Sequence, residues 1–362
     1  MVKRPWVCLV LGLGACDATP VAEGPPHLAE AARAELHQIG LDQFLGKAVI
    51  KSEEQHDDVT SVTFDPASGP VCIFGAPYMA HLRKTGSDKL MVFLGGGGAC
   101  WTGFCSATPE PDTGIVPLAP LRTEIAANPF HDYNVLYLPY CDGSVFSGNN
   151  DVPDPKGERH FHGRQNLSAG LDLLERLGPM HTVVVGGVSA GAYGTLAATA
   201  LVRMLYPSAE MLVYDDSGPW LQNLSQTADV EARIKDWRFD QMLPPSCTEC
   251  AGGRGQLDAF MAWLLKNDDQ LRVGMLSFYQ DAVIGDYFTK LPGDEYKTLL
   301  VAETGKLHAA YPDRVRRFML AGTAHVVTLY WPNLAVVNNV NIHDWTASLV
   351  RGDDTWKDLL EP

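Results

Sequence analysis

The 362-residue sequence is poor in basic residues and has no apolar run long enough to cross a bilayer. Its 28 lysines and arginines stand against 43 aspartates and glutamates, giving a formal net charge of -15 at pH 7. A field of this sign repels polyanions, and phosphate contacts need Lys or Arg, so the composition argues against a nucleic-acid-binding protein. A membrane-spanning helix needs about 20 consecutive apolar residues, so we expect no span.

The sequence also has no internal repeat and no low-complexity tract, which excludes solenoid and disordered classes. Hydrophobic residues make up 46% and charged residues 20%, a globular composition that can bury a large core. At roughly 150 residues per domain the length admits one large or two ordinary domains. The regular order of strands and helices described below favours one.

Eight cysteines exceed what a reducing cytosol usually allows, and the N-terminus points to export. Lys3 and Arg4 precede an apolar run over residues 5–14, which is typical of a signal peptide. The segment 13–16 (LGAC) at the end of this run resembles a bacterial lipobox, so we expect a signal peptide over 1–15 and lipidation of Cys16. Several acyl chains would anchor the protein stably in the bacterial cell envelope. An ordinary signal peptide cleaved elsewhere is the alternative.

A tether over residues 16–35 is expected to lead into a single domain over residues 36–362. In that domain continuous apolar runs predict strands buried on both faces, and three- to four-residue apolar spacing predicts helices between them. Such alternation predicts an α/β fold, a mostly parallel sheet with helices on both faces. The predicted strands are 89–94, 134–138, 182–185, 211–214, 273–279 and 315–320; the predicted helices are 165–177, 190–205, 256–266 and 295–310. A hairpin is predicted from 61–64 and 71–74.

The strongest motif is Gly187-Val188-Ser189-Ala190-Gly191, a G-x-S-x-G pattern between a predicted strand and a predicted helix. This placement is what a nucleophile elbow requires, because the strained turn lifts the serine hydroxyl above the sheet. The Ala190 amide then lies at a helix N-terminus and can stabilise a developing oxyanion. A glycine-rich turn without chemistry is the alternative for the isolated pattern.

A second oxyanion donor is expected from the glycines 95–98, which directly follow the strand over 89–94. The amides of Gly97 and Gly98 are the candidates. A phosphate-binding loop is the alternative, but no Gly-Lys-Ser/Thr follows, and a dinucleotide fingerprint fails at Trp101.

Three motifs in this order resemble the pectin acetylesterase and Notum family of serine esterases. They are the glycine loop with Cys100 and Trp101, the segment 139–148 (PYCDGSVFSG) and the serine motif; the resemblance covers roughly residues 60–330. It implies an α/β-hydrolase-like fold with a lid-like insertion, and an acetylated polysaccharide as substrate. Plant and animal members read Gly-Gly-Trp at the glycine loop where this chain has Gly97-Gly98-Ala99, which leaves the serine chemistry intact and the substrate open.

A serine nucleophile needs a histidine base and a carboxylate that orients it, in the chain order Ser, acid, His for this fold. His325 follows the strand over 315–320 and is preferred to His308, inside a predicted helix, and to His343. Asp281 ends the strand over 273–279, in the context where the family has its acid. The competing carboxylates are Asp215 and Asp216, interpreted as loop or helix-capping residues near the site.

The resemblance also implies a pairing for the six remaining cysteines: Cys72–Cys141, Cys100–Cys105 and Cys247–Cys250. No second Cys pair accompanies Cys247 and Cys250, so a disulfide is preferred to a zinc site. His160 and His162 are spaced like a metal pair, but we identify no nearby carboxylate or cysteine ligand and predict a structural role and no metal. Asp142 and Ser144 are expected to line or brace the site. The aromatic-rich segment 219–265 is core or the roof of an acyl pocket.

The expected function is a serine carboxylic ester hydrolase, a monomer without a cofactor, whose partner is an acetylated glycan or small acyl ester. An esterase that hydrolyses esters with longer acyl chains is the alternative. Two further alternatives are a peptidase or amidase and a non-catalytic surface binding protein. Pectin itself fits poorly, because an acidic protein repels a polyanionic glycan beyond the Debye length of about 8 Å.

Overall fold

The computed structural model describes residues 24–155, 157–330 and 335–362. Within these residues the central feature is a ten-stranded sheet with the order β1-β2-β3-β7-β4-β10-β11-β12-β13-β16. The strands in chain order are β1 (Ile50–His56), β2 (Val59–Phe64), β3 (Met79–Arg83), β4 (Lys89–Leu94), β5 (Gly98–Trp101), β6 (Phe104–Ala107), β7 (Asn134–Leu138), β8 (Asn150–Asp154), β9 (Gly157–Phe161), β10 (Thr182–Val188), β11 (Glu210–Asp216), β12 (Arg272–Phe278), β13 (Val315–Leu320), β14 (Val336–Val337), β15 (Val340–Asn341) and β16 (Leu359–Leu360).

The sheet is mixed, with a long parallel part. From β7 through β16 every neighbouring pair is parallel, whereas β1, β2 and β3 add antiparallel strands at one edge. Every residue of β10 is buried, as expected for a strand covered on both faces. The mostly parallel α/β architecture is therefore confirmed, and the carboxyl ends of β4, β10, β12 and β13 lie along one edge of the sheet.

Helices cover both faces of this sheet. On one face Leu167 of α2, Leu196 of α3 and Leu300 of α6 join a large buried cluster, and on the other Trp345 and Leu349 of α7 join a second. The α-helices of the described residues are α1 (Glu30–Gln38), α2 (Gly163–Asp172), α3 (Ala190–Leu205), α4 (Thr227–Trp237), α5 (Asp258–Asn267), α6 (Asp294–Ala310) and α7 (Ile342–Arg351). None of these helices has the length and apolarity needed to cross a membrane.

The predicted hairpin of 61–64 with 71–74 is wrong in its second strand. Ile73 and Phe74 lie in a turn, closed by a hydrogen bond from the Gly75 amide to the Cys72 carbonyl, and β2 pairs with β1 instead. Val71, Cys72 and Ile73 are buried outside the sheet, where Cys72 is bonded to Cys141, whereas Phe74 is 51% exposed. The sequence of β1, IKSEEQH, is polar and exposed throughout and therefore has no apolar alternation to reveal it.

The predicted tether over 16–35 is wrong in its last part, because α1 begins at Glu30. Leu28, Ala32 and Leu36 are buried in the main cluster, so the folded domain starts before residue 36. The predicted signal peptide and Cys16 lie outside the described residues and stay predictions.

The segment 219–265 carries α4 and α5, and its large side chains Trp220, Trp237 and Phe260 are core residues. These large side chains therefore pack in the core and do not cover the pocket as a lid would.

Candidate active site

Ser189 lies in a strained turn between β10 and α3. Its backbone has φ 55° and ψ -120°, a conformation that costs energy for a residue with a side chain. The flanking glycines make the turn possible: a Cβ on Gly191 would lie 2.1 Å from the Leu94 carbonyl oxygen, and one on Gly187 would lie 2.4 Å from Gly191. The turn has the strand-to-helix geometry of a nucleophile elbow, and Ser189 is only 9% exposed.

Two kinds of backbone amide lie beside this serine. Ala190 is the first residue of α3, and the first amides of a helix have no acceptor within the helix. Gly96 passes so close that a Cβ on it would lie 3.1 Å from the Ser189 Cβ. Gly98 has φ 82° and opens the β5–β6 hairpin, where a Cβ would collide with the Ser106 carbonyl oxygen. The glycine loop therefore lies against the serine turn because it has no side chains.

His325, which is partly buried, and Asp281, which is fully buried, form a pair just beyond the ends of β13 and β12. The Nδ1 atom of His325 lies 2.7 Å from Asp281 Oδ2, and Asp281 Oδ1 accepts hydrogen bonds from the amides of Val283 (2.9 Å) and Ile284 (3.0 Å). The Nε2 atom of His325 is buried and has no hydrogen-bond partner among the described residues. The competing histidines make other contacts: His308 binds the Val315 carbonyl oxygen (2.7 Å).

The histidine loop and the serine turn are tied together by Asp216 and Ser217 at the end of β11. The Asp216 carbonyl oxygen accepts the Ser189 amide (2.9 Å), while its carboxylate accepts the amides of Val327 and Thr328 at 2.8 Å each. The Ser217 hydroxyl accepts the Val326 amide (3.0 Å). Asp216 is therefore a positioning residue. Its carboxylate accepts the first two amides of the short 3-10 helix Val327–Tyr330, which agrees with the helix-capping interpretation, although these residues lie 111 and 112 positions away in sequence.

A pocket of about 210 Å³ opens at Ser189. Its wall next to the serine includes the amide-bearing residues Gly98 and Ala190, and most of the remaining wall is apolar. The other lining residues are Ala99, Phe104, Ser106, Val145, Tyr193, Val283, Ile284, Tyr287 and Phe288. The last four of these belong to or flank a π-helical segment, Val283–Thr289, that starts directly after Asp281. The pocket is therefore roofed by this segment and not by residues 219–265.

A second layer of aromatic side chains supports the pocket wall. Trp101 is fully buried, with ring centroids 4.6 Å from Phe104 and 5.9 Å from Phe288, both of which line the pocket. The buried guanidinium of Arg233 lies 5.1 Å from the Trp101 ring and 4.9 Å from the Phe288 ring. Trp101 therefore does not line the pocket itself but packs against the side chains that do. No sequence pattern identifies Arg233, since a cation inside an aromatic cluster depends on packing between distant elements.

The segment 139–148 braces the glycine loop. The Gly143 carbonyl oxygen accepts the Cys100 amide (2.7 Å), and Val145 lines the pocket. Asp142 is fully buried and accepts hydrogen bonds from the amide and hydroxyl of Ser144. Burial raises the pKa of Asp142 to about 6. The expectation that Asp142 and Ser144 brace the site agrees with these contacts.

The disulfides are Cys72–Cys141, Cys100–Cys105 and Cys247–Cys250, the pairing that the resemblance implies. The first joins the turn before β3 to the end of β7, and the second closes the β5–β6 hairpin beside the pocket. Disulfides of this kind persist in oxidising compartments.

Comparison with known proteins relates part of this chain to one family. Residues 118–248, which contain the segment 139–148 and the serine turn, match the model of the family described as Pectinacetylesterase. Pectin acetylesterase 7 of Arabidopsis thaliana is 28% identical over 171 residues, 42% of this chain and 43% of the relative. Over these matched parts the chain is similar to the pectin acetylesterase and Notum family.

Two further relatives also match part of the chain. Pectin acetylesterase 11 of Arabidopsis thaliana is 27% identical over 206 residues, 50% of this chain and 52% of the relative. The palmitoleoyl-protein carboxylesterase Notum of Schmidtea mediterranea is 29% identical over 126 residues, 30% of this chain and 23% of the relative. The chain thus spans about half or less of the length of these relatives. The match to the family model ends before Asp281 and His325, whose roles must be argued from geometry.

Proposed function

We propose that this chain is a serine carboxylic ester hydrolase. The observation that carries the proposal is the His325–Asp281 pair. Nδ1 of His325 is held by the Asp281 carboxylate, and Nε2 of His325 is buried without a hydrogen-bond partner among the described residues. Asp216 connects the loop that carries His325 to the turn that holds Ser189. No hydrogen bond joins His325 Nε2 to Ser189 Oγ in the described residues, but contacts of a general base often tighten only when substrate binds. The carboxylate-held ring with a free Nε2 supports the role of a general base for the serine hydroxyl.

In the proposed reaction Ser189 Oγ attacks the ester carbonyl carbon while His325 Nε2 takes the hydroxyl proton. Asp281 fixes the tautomer with the proton on Nδ1 and stabilises the imidazolium ion. Collapse of the tetrahedral intermediate breaks the bond to the alcohol oxygen, which receives the proton from His325. Water, activated by the same histidine, then attacks the acyl-enzyme and releases the carboxylic acid and Ser189.

The negative oxygen of the tetrahedral intermediate is assigned to the amides of Gly97, Gly98 and Ala190. Gly98 and Ala190 lie in the pocket wall beside Ser189, and the glycine loop approaches the serine closely. Each well-aimed donor of this kind contributes about 10²- to 10³-fold in rate.

An O-acetylated glycan of low charge is the first substrate class, because the chain is acidic and its family includes proteins named pectin acetylesterases. The pocket favours a second candidate, an ester with a longer acyl chain. A water molecule occupies about 30 Å³ of liquid, and a methyl group is similar in size, so an acetyl group fills only a small part of 210 Å³. The three disulfides support export of the protein.

The test uses the purified full-length chain, a fluorophosphonate probe and p-nitrophenyl esters from acetate to palmitate. We expect the probe to label Ser189 and Ser189→Ala to abolish both labelling and turnover. Ser225→Ala, which changes an exposed serine, is the control and should keep both. Full activity of the Ser189→Ala variant would refute the mechanism, and the chain-length profile decides between the two substrate classes.

A further inference from the structure

A cluster of metal-ligand side chains lies on the β8–β9 hairpin. The carboxylate of Asp151 and the ring nitrogens of His160 and His162 all lie within 4.8 Å of one another. Asp151 Oδ1 is 2.7 Å from His160 Nδ1 and 2.9 Å from His162 Nε2. The expectation that these histidines have no nearby carboxylate was therefore wrong.

The hairpin explains why the carboxylate reaches the histidines. Asp151 on β8 is paired directly with His160 on β9, so the two side chains leave the ladder on the same face. His162 follows β9 as the N-cap residue of α2, two positions after His160 and near the same face. Two antiparallel strands and a helix start thus hold three donors around one point.

The hydrogen bonding of His162 indicates that a cation belongs at this point. Its Nδ1 lies 2.6 Å from the Gly69 carbonyl oxygen, which can only accept, so Nδ1 carries a proton. In a neutral ring the lone pair of Nε2 then faces Asp151 Oδ1, another acceptor, at 2.9 Å. Two lone pairs at this distance repel each other unless a second proton or a metal ion lies between them. A histidine that donates its other N–H to a backbone carbonyl is also the usual form of a metal-bound histidine.

We propose that Asp151, His160 and His162 bind one divalent metal ion of borderline softness, with zinc as the best fit and water as the fourth ligand. Two imidazole nitrogens and one carboxylate oxygen are typical zinc ligands, with bonds of about 2.0–2.2 Å. Tetrahedral bonds of that length separate the donors by about 3.4 Å, so the side chains must move apart by roughly half an ångström. Their exposed fractions of 46%, 25% and 15% allow that movement and let an ion enter from solvent.

The ion would have a structural role. None of the three residues lines the pocket at Ser189. Through His162 and Gly69 the ion would tie the β8–β9 hairpin and the start of α2 to the segment that precedes the Cys72–Cys141 disulfide. A ligand that binds only the folded state raises its stability by mass action.

The experiment measures zinc on untagged full-length chain that has first been treated with a chelator and desalted. We expect one zinc per chain by elemental analysis and calorimetry, and a rise in melting temperature when zinc is added. Asp151→Asn, His160→Asn and His162→Asn should each weaken zinc binding at least about tenfold. Cobalt should replace zinc and give visible d–d absorption that each of these variants loses.

The matched control is His37→Asn. His37 also lies 2.7 Å from a carboxylate, that of Asp42, but the pair has no third ligand in the described part of the chain. The His37→Asn variant should bind zinc as the unmodified chain does. The His325→Asn variant should do the same, which would show that zinc does not bind at the proposed catalytic histidine. Absence of zinc binding by the unmodified chain, or unchanged binding by folded His162→Asn and Asp151→Asn, would overturn the proposal and leave a protonated histidine as the cation.

Discussion

At the scale of single residues, the two neighbouring aspartates at the end of β11 have different roles. Asp216 accepts two amides of the histidine loop, whereas both carboxylate oxygens of Asp215 are buried without a hydrogen-bond partner among the described residues. Burial and the neighbouring charge of Asp216 raise the pKa of Asp215 well above its ordinary value. Burial also raises the pKa of Asp216, and the hydrogen bonds it accepts oppose that shift.

This difference predicts a selective effect of Asp216→Asn. The amide group of asparagine must turn one N–H donor toward the amide of Val327 or Thr328, which leaves a buried donor unpaired at a cost of about 1–3 kcal/mol. We expect kcat to fall about ten- to 100-fold with little change in KM, because the histidine loop shifts while the pocket stays intact.

Asp215→Asn is the control for this prediction, since it puts an amide of the same shape at the adjacent position, where the carboxyl oxygens accept no hydrogen bond from the histidine loop. Its kcat should change less than about threefold. The measurement is steady-state kinetics on one p-nitrophenyl ester. Recovery of kcat in Asp216→Glu, which restores a carboxylate, would show that Asp216 positions the histidine loop and that the loss in Asp216→Asn is not general destabilisation. Equal losses of kcat in both asparagine variants would remove the proposed role of Asp216.

At the scale of elements, the sequence predicted the strands and helices whose apolar pattern follows from burial. The helix over 190–205 and the strand over 315–320 have the predicted bounds, and the candidate nucleophile, base and acid all follow parallel strands. The failures share a cause. The strand β1 is mostly polar, the turn after Val71 is held by a disulfide, and the contact of Asp151 with His160 depends on hairpin register. None of these follows from the local period of apolar residues.

The π-helical roof of the pocket predicts a change in acyl preference. Val283 lines the pocket but is 38% exposed, so a larger side chain there can narrow the entrance without overpacking the core. We expect Val283→Trp to lower kcat/KM for p-nitrophenyl octanoate at least about tenfold and to change the value for acetate less than about twofold.

Val301→Trp gives the matched control, because Val301 is 40% exposed on α6 and is not part of the pocket wall. It should leave both substrates unaffected. If Val283→Trp lowers kcat/KM for the octanoate and acetate esters by the same factor, the acyl chain does not enter this pocket.

At the scale of the whole molecule, the disulfides constrain the chain to very different extents. Cys72 and Cys141 are 69 residues apart and join the antiparallel edge of the sheet to its parallel part, whereas Cys247 and Cys250 are three residues apart. In the chain-entropy model a cross-link stabilises the folded state by restricting the unfolded chain, and more so for longer loops. The model gives about 4 kcal/mol for the first bond and about 1.6 kcal/mol for the second.

We therefore expect Cys72→Ala/Cys141→Ala to lower the free energy of unfolding by about 2–4 kcal/mol more than Cys247→Ala/Cys250→Ala does. All four cysteines are buried, so the two double variants lose comparable packing, and the difference between them reports mainly loop closure. Urea unfolding of the full-length chain, with the remaining disulfides intact, measures both values. Equal losses would mean that the unfolded chain keeps residues 72 and 141 close together without the bond, and that the disulfide holds the turn at Cys72 in place rather than stabilising the fold.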